Sequence, residues 1–194
     1  MLEKPPLCGT RVSLRALGPE DAEAMYQSIQ DPEGVRLTGS HGTFTRELVA
    51  AHCERVAAAE DRLDYVIALR DDPTYRGEVV LRHIDPDNRC ASYRINLAAW
   101  APRGAGLGGE ATVLLLRYGL AVWPRLHRVE LEVYDFNTRA IRAYEKLGFV
   151  REGCKRDALW WDGRFHGAVQ MSLLRHEFEA RHGIPSLVRG DAQP

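Results

Sequence analysis

The sequence carries no surplus of either charge. Lys plus Arg is 26 against 27 for Asp plus Glu, a formal net charge of -1, so the basic field that draws proteins onto nucleic acid is missing. There is no long apolar run. The greasiest segment, residues 111–122, is broken by Thr112, Arg117 and Gly119 and is too short to span a bilayer. The first residues, Met1-Leu2-Glu3-Lys4-Pro5-Pro6, lack the apolar stretch of a secretion signal. Cys8, Cys53, Cys90 and Cys154 form no C-x-x-C pair, and the seven histidines show no H-E-x-x-H spacing. Together these absences predict a reduced cytoplasmic protein without a metal, and with neither nucleic acid nor membrane as partner.

What is present is an ordinary core-forming composition, 45% hydrophobic and 27% charged over 194 residues. That suits one domain, with its core at about residues 10–175 and a tail at 176–194. Alternation predicts strands at 10–17, 63–70, 76–84, 90–97, 127–134, 149–159 and 165–174. Helical spacing predicts helices from Pro19 to the Asp31-Pro32 stop, at 45–60, along the stripe Leu107, Ala111, Leu114, Leu115, Tyr118 and Val122, and at 137–147 before Gly148. Residues 34–43 read as loop, and Arg175 opens a short helix. The fold class is mixed α/β.

Arg103-Gly104-Ala105-Gly106-Leu107-Gly108-Gly109 sits between a strand and the most amphipathic helix. Glycines let backbone N–H groups approach a ligand, and the helix start adds unpaired donors and a positive dipole end. Such a segment is a socket for phosphate or pyrophosphate, or simply a turn before a helix. Gly104, Gly106 and Gly109 also satisfy G-x-G-x-x-G, the nicotinamide-dinucleotide fingerprint. Against that, the preceding strand carries Ser92, Arg94 and Asn96 where a doubly wound sheet needs an apolar first strand, and too little chain follows to complete one.

Taken as R-x-x-G-x-G with Glu110-Ala111, the loop resembles that of the GCN5-related N-acetyltransferases (GNAT). The resemblance runs from about Leu14 to Leu174 and is closest to the ribosomal-protein alanine/serine acetyltransferase-like (RimJ/RimL) branch. Its second anchor is Asn137-Thr138-Arg139-Ala140-Ile141-Arg142-Ala143-Tyr144-Glu145-Lys146-Leu147-Gly148-Phe149, followed by Arg151-Glu152-Gly153. One helix and one strand separate the two motifs, which makes the pair specific. The implied fold is a mostly antiparallel sheet of six to seven strands, splayed in the middle and flanked by about four helices.

The resemblance implies acetyl-CoA as cosubstrate. Its pyrophosphate would be held by Arg103, Gly104, Ala105, Gly106, Leu107 and Gly108. Its pantetheine arm would lie in the splay against the backbone of Ile95, Asn96 and Leu97, with Asn137 and Arg139 nearby. An exposed amide there can stabilise the charge that develops on the thioester oxygen. Tyr144 would protonate the leaving sulfur; as a bare pattern it also fits a core tyrosine beside Ala140 and Leu147. Asn137 equally suits a helix N-cap, and Arg139, Arg142 and Lys146 suit a solvated helix face.

Where many relatives read Glu-Ile-Gly-Tyr on the strand before the loop, this chain reads Cys90-Ala91-Ser92-Tyr93. The general base therefore falls to Glu132, with Glu130, Glu78 and His83 as further options and a solvated strand face as the plain account of the two strand glutamates. The resemblance implies a primary amine as acceptor, a protein N-terminus or a small molecule, bound by a monomer or homodimer. An α-amine is about one-tenth neutral at pH 7 and a lysine amine roughly one part in a few thousand, so an N-terminus asks less of a base. Residues 34–43 and 158–166, with Trp160, Trp161 and Phe165, are expected to wall the acceptor side. A non-catalytic acyl-CoA-binding module is the alternative, motivated by the missing acid.

Overall fold

The computed structural model describes residues 2–102 and 104–183. The chain opens with β1 (Leu7–Cys8) and β2 (Val12–Ala16), then a 3-10 turn (Pro19–Asp21) and α1 (Ala22–Ser28). The buried Asp21 carboxylate seats that turn, accepting from Arg15 Nη1 and Nη2 at 2.8 and 2.6 Å and from the Gly18 N–H at 3.1 Å. Next come α2 (Pro32–Thr38), α3 (Arg46–Ala57), β3 (Leu63–Leu69), β4 (Gly77–Asp85) and β5 (Cys90–Leu97). The second half is α4 (Leu107–Val122), β6 (Arg128–Tyr134), α5 (Thr138–Leu147), β7 (Val150–Trp161), β8 (Arg164–Leu174) and α6 (Arg175–His182).

Two elements depart from expectation. Asp31-Pro32 ends α1 as the sequence indicates, but the same dipeptide starts α2: the Asp31 carboxylate accepts from the Gly34 N–H at 2.8 Å and Pro32 fills the first turn. Residues 34–38 are therefore helix, and the loop begins only at Gly39, whose left-handed conformation (φ 62) closes α2. β1 is two residues long, too short for alternation to reveal. Among the described residues the sheet then has eight strands, and α2 and α6 bring the helices to six.

The strands lie in the order β1-β2-β3-β4-β5-β6-β8-β7. Every neighbouring pair is antiparallel except β5 and β6. That parallel pair is joined only at Cys90↔Arg128, Ala91↔Val129 and Ser92↔Glu130. Beyond Ser92, β5 stays with β4 as far as Leu97 while β6 stays with β8 as far as Tyr134. The sheet is split down its middle, as the family resemblance implied.

One face of the sheet carries the larger core. Val12, Leu14, Tyr65, Leu81, Tyr93, Val129, Leu131 and Met171 pack there against Leu107, Ala111, Leu115 and Leu116 of α4, with Ile141 and Phe178 from α5 and α6. The other face is covered by α1 and α3 only over its first half, where Leu17, Met25, Val49, Cys53, Val56, Val66, Tyr75 and Ala98 cluster. Over β6, β8 and β7 that face is open, and Glu130, Glu132 and Gln170 are exposed.

Gly77 lets β4 approach β5 just where the split runs. Its φ is +139, and a Cβ there would run into the Asn96 carbonyl oxygen and lie 2.8 Å from Leu97 Cα. Gly77→Ala is expected to cost about 2–3 kcal/mol of stability through strain and overlap, read as a fall in the urea midpoint at unchanged m-value.

Candidate active site

The glycine loop leads into α4 through Gly106, which caps the helix in the left-handed region (φ 72). The first helical hydrogen bond runs from the Glu110 N–H to the Gly106 carbonyl at 3.1 Å. The N–H groups of Leu107, Gly108 and Gly109 therefore precede the helical ladder and face outward as donors. A Cβ added at Gly104 would meet nothing within 4 Å, so this side of the loop is open. At Gly108 it would lie 3.4 Å from Ile95 Cδ1 and 3.6 Å from Leu97 Cδ1. The loop thus rests on the free end of β5. Arg103 lies outside the described residues.

Arg11, which no spacing rule picks out, clasps this loop from just ahead of β2. Its Nη1 donates to the Ala105 carbonyl at 2.5 Å and its Nε to Glu110 Oε2 at 3.0 Å. Glu110 Oε1 accepts from the N–H groups of Thr10 and Arg11. Burial pulls the Glu110 pKa up, yet the Arg11 backbone and side-chain donors outweigh it and leave the carboxylate below its ordinary range. Glu110, an acid in the first turn of α4, is thereby turned onto the chain entering β2.

Backbone alternation decides which β5 groups face the split. The Arg89 carbonyl accepts from the His127 and Arg128 N–H groups, whereas the Ala98 N–H bonds the Arg76 carbonyl of the chain leading into β4. Counting between them, Tyr93, Ile95 and Leu97 turn their N–H and C=O groups into the gap, and Asn96 turns its own toward β4. Of the three residues expected to offer backbone here, Ile95 and Leu97 are oriented for it, and Tyr93 joins them.

Tyr144 stands over the point where the strands part. Its ring meets Tyr93 edge-on at 6.1 Å and Phe149 at 5.8 Å. Its hydroxyl makes no hydrogen bond among the described residues, and burial pushes its pKa up to about 12. Beneath it the Tyr93 hydroxyl meets Thr112 Oγ1 at 2.6 Å, and that hydroxyl donates to the Gly108 carbonyl at 2.6 Å. This relay ties β5 to the first turn of α4. Asn137 caps α5, accepting from the Ala140 N–H at 3.1 Å; Arg139 is exposed on the same helix.

Glu132 is exposed on the opposite sheet face and ion-paired with Lys155; Glu130 pairs with Arg128 at 3.2 Å. Both occupy a solvated strand face. Glu78 is buried, bonded to Arg94 at 2.5 Å, and has one carboxylate oxygen without a partner. Burial raises its pKa against the pull of Arg94. His83 is exposed near the far end of β4.

The two segments expected to wall the acceptor side do meet. The His41 and Trp161 rings lie 5.1 Å apart, and Gly39 abuts Tyr134, so that a Cβ would come within 2.6 Å of the ring. Trp160 and Phe165 instead pair with each other at 4.7 Å on the exposed hairpin tip. Sequence reasoning missed the strip at the end of β6. There Tyr134 stacks on Phe136 at 5.7 Å, and Phe136 meets the buried His166 edge-on at 4.8 Å. Asp135 braces the strip, with Oδ1 3.4 Å from His166 Nδ1 and Oδ2 accepting from the Gly167 N–H at 2.8 Å. Among the described residues no three His, Cys, Asp or Glu side chains could hold a metal ion, and no helix is long and apolar enough to cross a membrane.

A split sheet with a glycine-capped helix at its mouth and a half-buried phenol above suits a transferase that uses a pantetheine-bearing acyl donor. The acetyltransferase (GNAT) domain model matches residues 11–150, and the chain belongs to that family: it is an acetyl-CoA-dependent N-acetyltransferase. It is 29% identical over 180 residues, 90% of this chain and 96% of the relative, to the SPbeta prophage-derived uncharacterized N-acetyltransferase YokL of Bacillus subtilis (strain 168). Spermidine N(1)-acetyltransferase of Escherichia coli (strain K12) is 32% identical over 119 residues, 60% of this chain and 63% of that enzyme. YdaF of Bacillus subtilis (strain 168), provisionally named a ribosomal N-acetyltransferase, is 28% identical over 178 residues, 87% of this chain and 93% of its own. Among solved structures, spermidine N-acetyltransferase from Vibrio cholerae in complex with CoA and spermine shares the fold, with a TM-score of 0.75 at 19% identity over 88% of this chain and 99% of that one.

Arg11→Ala removes the clasp on Ala105 and releases Glu110 toward the phosphate socket. Calorimetric titration with coenzyme A is expected to show affinity lower by about tenfold, the value of one charge-assisted contact.

Proposed function

We propose that the chain transfers the acetyl group of acetyl-CoA to the α-amine of a protein N-terminus, with Tyr144 as the acid. The observation that carries this is Tyr144 itself, a protonated phenol whose hydroxyl has no partner among the described residues, packed on Tyr93 where β5 and β6 separate. The residues fit the coenzyme: the loop from Gly104 to Gly108 offers backbone N–H groups and an open side, and Arg11 adds charge. Acetyl-CoA supplies the acetyl group as an activated thioester.

The chain's own groups do the rest. N–H groups of Ile95 or Leu97 face the gap and stabilise negative charge on the acyl oxygen. As the nitrogen–carbon bond forms and the carbon–sulfur bond breaks, the Tyr144 hydroxyl gives its proton to the sulfur. The amine's surplus proton leaves through Glu132, once it parts from Lys155, or through water. Asn137 and Arg139 border the pantetheine path at the start of α5. An N-terminal acceptor asks less of a base, since a useful fraction of α-amines is already neutral. The name of YdaF and the RimJ/RimL-like motifs support that acceptor; the spermidine acetyltransferase relatives support a small amine instead. The described cysteines are all free, as suits a cytoplasmic enzyme, and the whole chain acts as one domain.

Thiol release from acetyl-CoA across a panel of peptides, polyamines and amino acids tests the reading. Coenzyme binding without acceptor-dependent thiol release would leave a non-catalytic module. Tyr144→Phe is expected to lower kcat about 100-fold or more while shifting the KM for acetyl-CoA less than about twofold. Burial holds the phenol protonated beyond its ordinary pKa near 10, up to about 12. The wild-type rate should therefore climb as the acceptor amine deprotonates around pH 8 and stay level through pH 10. A fall in rate near pH 9 would remove Tyr144 as the proton donor.

A further inference from the structure

Arg36, in the last turn of α2, holds its guanidinium carbon 4.5 Å from the centroid of the Phe136 ring. The residue is half-buried, yet its side chain makes no hydrogen bond or ion pair among the described residues. Stacking on an aromatic face fixes the plane of a guanidinium and uses none of its N–H donors. The ring beneath is held firmly by Tyr134 on one side and His166 on the other, and α2 is held by the contacts of Gly39 with Tyr134 and of His41 with Trp161. Arg36 is thus a positioned cation with its fork of donors unused.

The neighbouring charges are engaged differently. Asp135 is taken by the Gly167 N–H and His166, and Glu132 by Lys155. Arg164 Nε leans on His166 Nε2 at 3.3 Å. Along this strip the acids are occupied while a guanidinium waits for an anion.

We infer that Arg36 receives a side-chain carboxylate on the acceptor, so that the acceptor is a primary amine carrying an acidic side chain and not a polyamine. The planar fork takes a carboxylate through two parallel hydrogen bonds. A polycation would meet like charge at the Phe136 face, which Arg36 already covers. The inference rests on the amine-acetylation reading and adds the charge of the acceptor to it. Two sources present this chemistry: a peptide whose second residue is acidic, and a free acidic amino acid.

The test measures kcat/KM by thiol release at saturating acetyl-CoA. The acceptors are a peptide with Asp in second place, its Asn counterpart, free glutamate, free glutamine and spermidine. The wild-type protein is expected to favour the acid over its amide by about tenfold or more in at least one pair, and the faster pair names the source. Arg36→Leu should collapse that ratio toward one, and Arg36→Lys should recover part of it, keeping the charge without the fork. A retained thermal shift with coenzyme A shows that each variant is folded. Equal rates on acid and amide, a preference for spermidine, or a ratio untouched by Arg36→Leu overturns the inference and leaves amine acetylation standing. Absence of thiol release with every amine overturns both.

Discussion

Three residue pairs hold the two halves of the sheet together, and the site exists because there are no more. β5 and β6 share Cys90 to Ser92 with Arg128 to Glu130 and then part. Each is fully occupied by its outer partner, β4 or β8, so the halves stay ordered while their inner edges are left unpaired. Unpaired strand edges inside a protein demand hydrogen-bonding partners. A pantetheine arm with amide groups of its own can pair along such an edge as an added strand would.

Keeping the split open takes contacts from outside the sheet. On the β5 side, the relay from Tyr93 through Thr112 to the Gly108 carbonyl ties the strand to α4, and the Ile95 and Leu97 side chains fill the space a larger residue at 108 would claim. Just ahead of β2, Arg11 reaches across to Glu110 and Ala105 and pins the loop and helix start. The glycine loop is therefore held both by β5 beside it in the chain and by a segment more than ninety positions away. The same packing that wedges the strands apart places Tyr144 over the opening.

Much of this was legible in the sequence, for local reasons. β5 and α4 fall at residues 90–97 and 107–122, as alternation and the helical stripe predict, because both periodicities come from one buried face. The split and the placing of Tyr144 needed the paired motifs, since no periodicity reports where two strands cease to pair. What stayed hidden was long-range or short. Arg11 meets Ala105 across 94 positions, Lys155 meets Glu132 across 23, and α2 has seven residues with no apolar stripe. Asn137 shows the limit of residue type as evidence: it caps α5, a role any helix-starting asparagine fills, and that neither adds to nor subtracts from a part in binding.

Main-chain donors at the cleft have an evolutionary corollary. The amides of Ile95 and Leu97 are aimed by strand geometry, whatever side chains those positions bear. Residues there can drift in size, reshaping the room beside the split, without disturbing the backbone groups that face it. Side-chain bulk and main-chain hydrogen bonding are thereby written in separate parts of the same residues, free to change independently.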